Sequence, residues 1–239
     1  MKSLLPPLLA AIALLSSGCV APVAFTNPCQ VISANGTGSC KATEPVTSAT
    51  VIFNTNFDPS NAFSLTYDNV DVTSKLTPPP AAGGTSHLPL PQPPSPANYP
   101  TTAAHALVAN DTCGFFCVFP SVTMNFTPPQ LLFAATADQT PVVAGLSTPQ
   151  FAVVQLDSVL SLSTPMAVTI TANPPIVSFS ATQDGPRSGG PYVATMQVNT
   201  NYAVFYLHAN EGASQGMNFT LHGTASGVSD GNQSGVVVP

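Results

Sequence analysis

The chain has 239 residues, of which only 6% are charged, and its four lysines and arginines stand against ten aspartates and glutamates for a formal net charge of -6. So few cations cannot neutralise a nucleic-acid backbone or hold an anionic membrane surface, which excludes nucleic-acid binding and electrostatic membrane attachment. The 26 prolines and 16 glycines interrupt almost every window, which excludes helices as the main element.

The N-terminal segment has the layout of a secretory signal peptide. Lys2 supplies positive charge, the run LLPPLLAAIALL is apolar, and small residues follow at positions 16–18. The short length of the run and its paired prolines argue against a membrane-spanning helix. We therefore predict a signal peptide over residues 1–18 and export of the mature chain.

Cys19 closes this segment in the stretch LSSGC. The stretch resembles the lipobox of bacterial lipoproteins, which implies that Cys19 carries a lipid, becomes the new N-terminus and provides the chain's contact with a membrane. Ser16 replaces the usual leucine three residues before the cysteine, and Leu15 lies one position further out. The alternative is cleavage after Ala21 or Ala24, which discards Cys19. Both routes leave four cysteines for disulfide bonds.

Residues 19–40 are predicted to form an N-terminal tether with a possible disulfide hairpin. Cys29 and Cys40 flank Asn35-Gly36, a dipeptide typical of tight hairpin turns. A strict two-residue turn would place Val31 opposite Cys40, so the loop must be longer or bulged if the two cysteines are bonded to each other. Local pairing of the four cysteines is the connectivity we favour among the three possible ones.

Most of the remaining chain is predicted to form short β-strands. The segment AFSLTYDNVDVT alternates apolar Phe63, Leu65 and Tyr67 with polar residues, which is the period of a strand with one buried face. SVTMNFT and MAVTITA repeat the pattern, and the other strand candidates are TVIFN, HALVA, FAVVQLD, IVSFSA, YVATMQVN, YAVFYLH, MNFTLHG and GVVV. Short strands separated by proline, glycine and asparagine indicate an all-β sandwich architecture.

The connections between these strands also carry signals. Residues 77–100 are rich in proline, which favours extended, solvated backbone, so we predict a loop without packed structure there, either a linker between domains or an insertion in the first one. Asn199-Thr200-Asn201 is predicted to be a short hairpin loop, because asparagine tolerates left-handed backbone. The stretch 188–190, Ser-Gly-Gly, is predicted to be a flexible hairpin connection.

Two parts of the chain resemble repeat domains of exported bacterial proteins. Residues 49–128, with ATVIFNTNFDPSNAFSLTYDNVDVTSKLTP, HALVAND and SVTMNFTP, resemble a bacterial immunoglobulin-like repeat in which Asn69 replaces the usual turn glycine. Residues 130–239 resemble a second class of such repeats more loosely. The resemblance implies two tandem immunoglobulin-like β-sandwiches, over residues 41–128 with the proline-rich loop inserted and over residues 129–239. It also implies a scaffold, adhesive or interaction role.

Cys113 and Cys117 flank a Gly-Phe-Phe tripeptide. In an extended strand their Cα atoms would lie ~13 Å apart, too far for a disulfide, but a turn at Gly114 brings them together. We interpret them as a small oxidised loop that displays Phe115 and Phe116 as possible contact residues. A metal or redox site is the weaker alternative, because zinc requires four ligands.

No arrangement of residues in the sequence indicates catalysis, a cofactor or a metal. The four histidines are His87, His105, His208 and His222, and we interpret them as solvated or strand-edge residues. The alternative for His208 and His222 is that their side chains lie close to each other. Asp68 and Asp71 are interpreted as turn-capping residues, since the dense ligand run of a calcium loop is missing. There is no closely spaced carboxylate pair, nucleophile elbow or phosphate-binding glycine loop.

The function we expect is that of a non-enzymatic, exported surface scaffold or interaction module with an unidentified protein or glycan partner and no cofactor. The edges and loops of a rigid sandwich can present a contact surface without reactive groups. The alternative is a carbohydrate-binding or accessory module of a secreted hydrolase system. The low number of aromatic platforms argues against that alternative, since the chain has no tryptophan and only five tyrosines.

Overall fold

The computed structural model describes residues 23–31, 36–59, 63–90, 104–111, 121–134 and 142–239. Over these residues the chain forms seventeen β-strands and one short 3-10 helix, Thr73–Lys75, with no α-helix. No helix in the described residues has the length and apolarity needed to cross a membrane. The chain divides into two compact units, the first from within residues 1–40, 48–90 and 104–126 and the second from within 41–47 and 127–239.

The first unit contains two sheets built from eight strands. The strands are β1 (Val23–Asn27), β2 (Thr37–Lys41), β3 (Ser48–Phe53), β4 (Phe63–Tyr67), β5 (Val70–Asp71), β6 (Thr85–Pro89), β7 (His105–Asp111) and β8 (Ser121–Thr127). One sheet has the order β1-β3-β6 and the other has the order β2-β8-β7-β4-β5. Alternate residues of β3 and β8 are buried, as a period of two requires, and Phe53, Leu65 and Met124 lie in the core between the sheets.

The second unit contains nine strands. They are β9 (Leu131–Ala134), β10 (Val142–Gly145), β11 (Gln150–Leu156), β12 (Met166–Asn173), β13 (Val177–Ser180), β14 (Tyr192–Met196), β15 (Tyr202–Ala209), β16 (Asn218–Thr224) and β17 (Gly231–Val238). Their pairing separates into two layers, β9-β11-β15-β13 and β10-β17-β16-β12-β14, which are joined at one place where Gly145 pairs with His208. One apolar cluster, which includes Val154, Ile170 and Phe205, takes side chains from both layers and forms the core of a sandwich.

Both units have the strand arrangement of an immunoglobulin-like sandwich, and the predicted all-β fold is confirmed. In each unit the N-terminal part is divided between the two sheets. In the second unit β9 runs antiparallel to β11, and β10 runs parallel to the final strand, β17. In the first unit β1 runs antiparallel to β3, while β2 pairs with the final strand, β8. The described part of the predicted tether therefore supplies two strands of the first sandwich.

The expectation for the proline-rich segment was wrong over its first half. Residues 85–89 form β6, in which Leu88 is fully buried, and Leu90 after it is also buried. Pro89 is tolerated because β6 has a strand, β3, on only one side, so the missing N–H group interrupts no ladder across the sheet. The sequence did carry a signal for this strand, because TSHLPL alternates exposed residues with the buried residues Ser86, Leu88 and Leu90. Residues 91–100 lie outside the described part of the chain.

Neither predicted hairpin loop in the second unit connects two neighbouring strands. Asn199 has the expected left-handed backbone, with φ 64°, but β14 and β15 lie in different layers, so residues 197–201 cross from one layer to the other. Ser188 pairs with Phe179 next to β13, and the glycines after it lead across to β14 in the opposite layer. Turn chemistry was therefore predicted correctly at Asn199, whereas strand partners were not.

Candidate interaction surface

The outward side of the layer β9-β11-β15-β13 is the most unusual surface of the second unit. Along β11 the residues Ala152, Val154 and Leu156 point into the core, so the residues between them point outward. The cross-strand pairs Phe151 with Tyr206, Val153 with Val204 and Gln155 with Tyr202 place β15 side chains beside them. We call this surface the apolar face; its residues are Leu132, Ala134, Phe151, Val153, Gln155, Tyr202, Val204 and Tyr206.

Large apolar side chains of this face are open to solvent. The exposed fractions are 39% for Leu132, 40% for Phe151, 49% for Tyr202 and 37% for Val204. No Asp, Glu, Lys, Arg or His belongs to the face as defined. Single exposed apolar residues are common on soluble proteins, but a contiguous patch of them marks a binding site. The face is therefore the strongest candidate for a functional site among the described residues.

The aromatic rings on the face are not arranged as a flat platform. The ring centroids of Phe151 and Tyr206 lie 6.0 Å apart, and their planes make an angle of 78°. This edge-to-face contact is the arrangement that aromatic pairs prefer, and it fixes the two rings against each other. The rings therefore form a ridged surface.

The outward side of the opposite layer has a different chemistry. Its cross-strand pairs are Thr169 with Thr224, Thr171 with His222, and Asn173 with Thr220. Hydroxyl and amide groups on this side are well solvated. Among the strand residues of the second unit, four exposed large apolar side chains lie on the apolar face and one, Val193, lies in the opposite layer. This uneven distribution is expected for an interface.

The apolar face was not predicted from the sequence, although the sequence carries a signal for it. FAVV in β11 and YAVFYL in β15 are apolar at consecutive positions, whereas a strand with one solvated side alternates. Consecutive apolar residues indicate that both sides of a strand need cover. In the described residues the inner side of both strands is buried, whereas Phe151, Tyr202 and Val204 on the other side are exposed.

Cys29 and Cys40 are bonded, with 5.9 Å between their Cα atoms. This is the local pairing that the sequence favoured, but the geometry is not a hairpin. Val31 bridges to Phe25, and β2 pairs with β8. Cys29 follows β1 in one sheet, and Cys40 lies in β2 of the other. The disulfide therefore constrains the segment that passes from one sheet to the other.

The other cysteines and the predicted contact residues lie outside the described part of the chain. Nothing in the structure bears on the lipid at Cys19 or on the signal peptide before it. The oxidised loop predicted for Cys113 and Cys117, with Phe115 and Phe116 displayed between them, likewise falls in the undescribed stretch 112–120. These interpretations remain predictions from the sequence.

His208 is buried in β15, which lies between β11 and β13, and this corrects its interpretation as a solvated or strand-edge residue. Its side chain is 3% exposed, and its Nε2 atom lies 2.6 Å from the Oγ of Ser180. That hydroxyl donates to the carbonyl of Thr182 at 2.7 Å, so it accepts a hydrogen bond from His208. Burial, with a contribution from the charge of Arg187 and against that of Asp184, lowers the pKa of His208. Since Ser180 is fully buried as well, this pair is structural and cannot meet a substrate.

His222 and His208 do not approach each other, because they lie in different layers. His222 Nε2 instead lies 3.2 Å from Asp230 Oδ2. Burial raises the pKa of Asp230, and the neighbouring His222 opposes that rise. This pair lies on the polar side of the sandwich, at the turn between β16 and β17.

In the first unit, Asp68 and Asn69 form the two-residue turn between β4 and β5, with φ of 48° and 68°. Asp68 Oδ2 lies 2.7 Å from His105 Nδ1, and the His105 ring stacks on Tyr67. Asp71 Oδ1 accepts hydrogen bonds from the side chain and the backbone of Thr73, and these lower the pKa of Asp71. Both aspartates have the turn-capping role that the sequence indicated.

A cleft of 210 Å³ in the second unit is a further candidate for a ligand site. Its lining includes the hydroxyl residues Thr47, Ser163 and Thr164 and a single ionisable residue, Glu44. A lone carboxylate has no base, acid or metal partner in the cleft. The described residues also contain no group of three His, Cys, Asp or Glu side chains able to hold a metal ion.

Comparisons with known proteins give no family assignment. No family model matches the chain, and no curated protein matches it. Solved structures that resemble it include the adhesin InvE of Yersinia pseudotuberculosis, with 13% identity and a TM-score of 0.33, over 86% of this chain and 57% of that one. Domains 4 and 5 of the S-layer protein SbsC have 12% identity and a TM-score of 0.29, over 74% and 77% of the two chains. A β-glycosidase of Bacteroides vulgatus has 11% identity and a TM-score of 0.29, over 82% and 23%.

Proposed function

We propose that this chain is a non-enzymatic, exported module of the bacterial surface that binds another protein through the apolar face of its second sandwich. The observation that carries the proposal is that four exposed large apolar side chains share one outward sheet surface, whereas the outward-facing pairs between β12 and β16 in the opposite layer are polar. An exposed apolar patch lowers the solubility of a protein, and such patches commonly mark sites that a binding partner covers.

The chemistry of the face defines the partner. A charged group placed against Phe151, Val204 or Leu132 would lose its water without gaining an ion pair, at a cost of a few kcal/mol. The matching surface is therefore apolar at its centre and uncharged. Gln155 and the two tyrosine hydroxyls provide hydrogen-bonding groups for orientation.

Export is supported by features at the N-terminal end. The layout of residues 1–18 is that of a signal peptide, and the Cys29–Cys40 disulfide suits an oxidising compartment outside the cytoplasm. A lipid on Cys19 would hold the mature chain on the membrane. Intact mass measurement of the mature protein tests this anchor, because a diacylated cysteine at the N-terminus and cleavage after Ala21 or Ala24 predict different masses.

The ionisable groups support a role without catalysis. Ser180 and His208 are buried, and His222 with Asp230 and His105 with Asp68 are separate pairs in different parts of the fold. In none of these places does a second acid or base converge with a nucleophile beside a cleft. The positions of these ionisable groups therefore favour a contact surface over an active site as the basis of function.

Glycan binding is the second candidate, because Phe151, Tyr202 and Tyr206 share the apolar face. Sugar rings stack on aromatic faces that lie open and flat. The perpendicular contact between Phe151 and Tyr206 does not provide such a pair, which favours a protein partner.

The test measures binding of the labelled mature protein to cell envelopes from the source organism. We expect saturable binding that is lost in the double variant Phe151→Ser, Val204→Lys and retained in the control Thr220→Lys, which alters an exposed residue of the opposite layer. Protease treatment of the envelopes should abolish the binding, and periodate treatment should not. Equal binding by the double variant would refute the proposal, and loss of binding after periodate alone would favour the glycan candidate.

A further inference from the structure

In the described residues, three edge strands each pair on their outer side with one residue from a nearby segment of the chain. Val31 pairs with Phe25 beside β1, through hydrogen bonds of 2.9 and 3.3 Å. Thr77 pairs with His87 beside β6 at 2.8 and 3.0 Å, and Ser188 pairs with Phe179 beside β13 at 2.8 and 2.9 Å. Each bridge occupies backbone groups that would otherwise be available to another strand.

The edge strand β14 has no such bridge among the described residues. It pairs with β12 alone, through five consecutive residue pairs from Met196 to Tyr192 without a register shift. Its sequence, YVATM, contains no charge, proline or glycine, and Val193 is 56% exposed. Edge strands that stay unpaired usually carry lysine, proline or a bulge as protection. β14 therefore has the properties of a strand that is paired in the functional state.

We propose that β14 pairs antiparallel with β14 of a second copy of this chain, about a twofold axis at Ala194. In that register Val193 lies opposite Thr195 of the second copy, and Tyr192 lies opposite Met196. The contact closes on itself, which gives a dimer and not a fibre. Two five-stranded layers then form one continuous ten-stranded sheet.

The chemistry of the strand fits pairing with itself. No like charges face each other across the twofold axis, and the residue on the axis, Ala194, is small. On the solvent side the opposed residues are β-branched Val193 and Thr195, which stabilise strand pairs. The strand is bounded by Pro191 and by the left-handed turn at Asn199, which limits sliding to other registers.

This inference uses a different surface from the apolar face and does not depend on the proposed function. The first test is sedimentation of the mature protein over a concentration series. We expect a monomer–dimer equilibrium, and we expect the double variant Val193→Lys, Thr195→Lys to raise the dissociation constant roughly tenfold or more, because lysines then oppose each other twice. The control Asn218→Lys, Thr220→Lys adds the same charge at exposed positions of the inner strand β16 and should dimerise like the wild type.

The second test fixes the register. A mixture of the Val193→Cys chain with the Thr195→Cys chain should form a mixed covalent dimer on mild oxidation faster than either chain alone, as peptide mapping would show. A monomer at millimolar concentration would overturn the proposal, and so would a lysine double variant that dimerises like the wild type. Concentration-independent protection of all the amides of β14 from hydrogen exchange would also overturn it. Alternate amides of this strand point away from β12, so another segment of the same chain would then cover the edge.

Discussion

The two sandwiches of this chain use one strand arrangement but are stabilised and exposed in different ways. The first unit has a disulfide at the crossing between its sheets and closes the outer edges of β1 and β6 with single residues. The second unit has no cysteine, and in its described residues it has one continuous apolar core, an apolar outward face and an edge strand, β14, that pairs on one side only. Both surfaces proposed here for binding thus lie in the unit that contains no disulfide.

The largest expected effect comes from the core of the second unit. Phe205 is fully buried, and its ring centroid lies 6.3 Å from that of Phe133 and 6.1 Å from those of Phe179 and Tyr192. Phe205→Ala should lower the free energy of unfolding of this unit by about 3–5 kcal/mol, because both contacts and packing volume are lost. Denaturant titration followed by probes in each unit measures the effect. An equal loss in the first unit would show that the two units do not unfold independently.

Removal of the disulfide should act on the first unit. The two cysteines are 11 residues apart in sequence, and the double variant Cys29→Ala, Cys40→Ala should cost about 2–4 kcal/mol of that unit's stability. The midpoint of the second unit in the same titration should stay unchanged and provides the control. No change in the first unit would show that the sheet crossing is held by packing instead.

A smaller effect is expected where an aromatic ring lies over a glycine. Gly235 pairs with Phe219 across β17 and β16, and a Cβ atom at position 235 would overlap the Phe219 ring. Gly235→Ala should therefore cost about 1–3 kcal/mol. Phe219→Leu in the same chain should recover part of that loss, which a double-mutant cycle would detect. Additive losses would mean that the ring and the glycine are not coupled.

The smallest effect concerns pH. Burial lowers the pKa of His208 below its ordinary value of 6.5, so the unfolded chain takes up a proton at a higher pH than the folded chain does. The stability of the second unit should therefore fall as the pH drops below about 6.5. Melting temperatures measured at pH 7.5 and pH 5 should differ less in His208→Asn than in the wild type. An equal difference in both proteins would assign the effect to other groups.

Sequence reasoning predicted the all-β class and many strands because alternation is local. β4, β8 and β12 carry a clear period of two, and each was predicted within a few residues of its observed bounds. β6 was missed because the prolines around it were given more weight than the alternation of Ser86, Leu88 and Leu90. An edge strand tolerates proline, and the position of a strand within a sheet is not a local property.

The candidate site could not be located from sequence for a similar reason. The apolar face combines β11 with β15, which are separated by almost fifty residues, and only the register shows that Val153 faces Val204. Likewise, a left-handed asparagine at position 199 serves a hairpin and a layer crossing equally well. Turn chemistry sets the local backbone, whereas the partner of a strand depends on which surfaces the whole chain must bury.

The alternation of the chain between layers has a consequence for the order of folding. From β12 to β16 each strand enters the layer opposite to its predecessor, and β10 pairs along its whole length with β17, the last strand of the protein. A chain delivered across a membrane N-terminus first would keep β10 without its neighbour until the C-terminal residues arrived. With this topology the second sandwich could not complete its sheet before β17 had crossed the membrane. Pairing of β17 with β10 would then be the last step in forming the native fold.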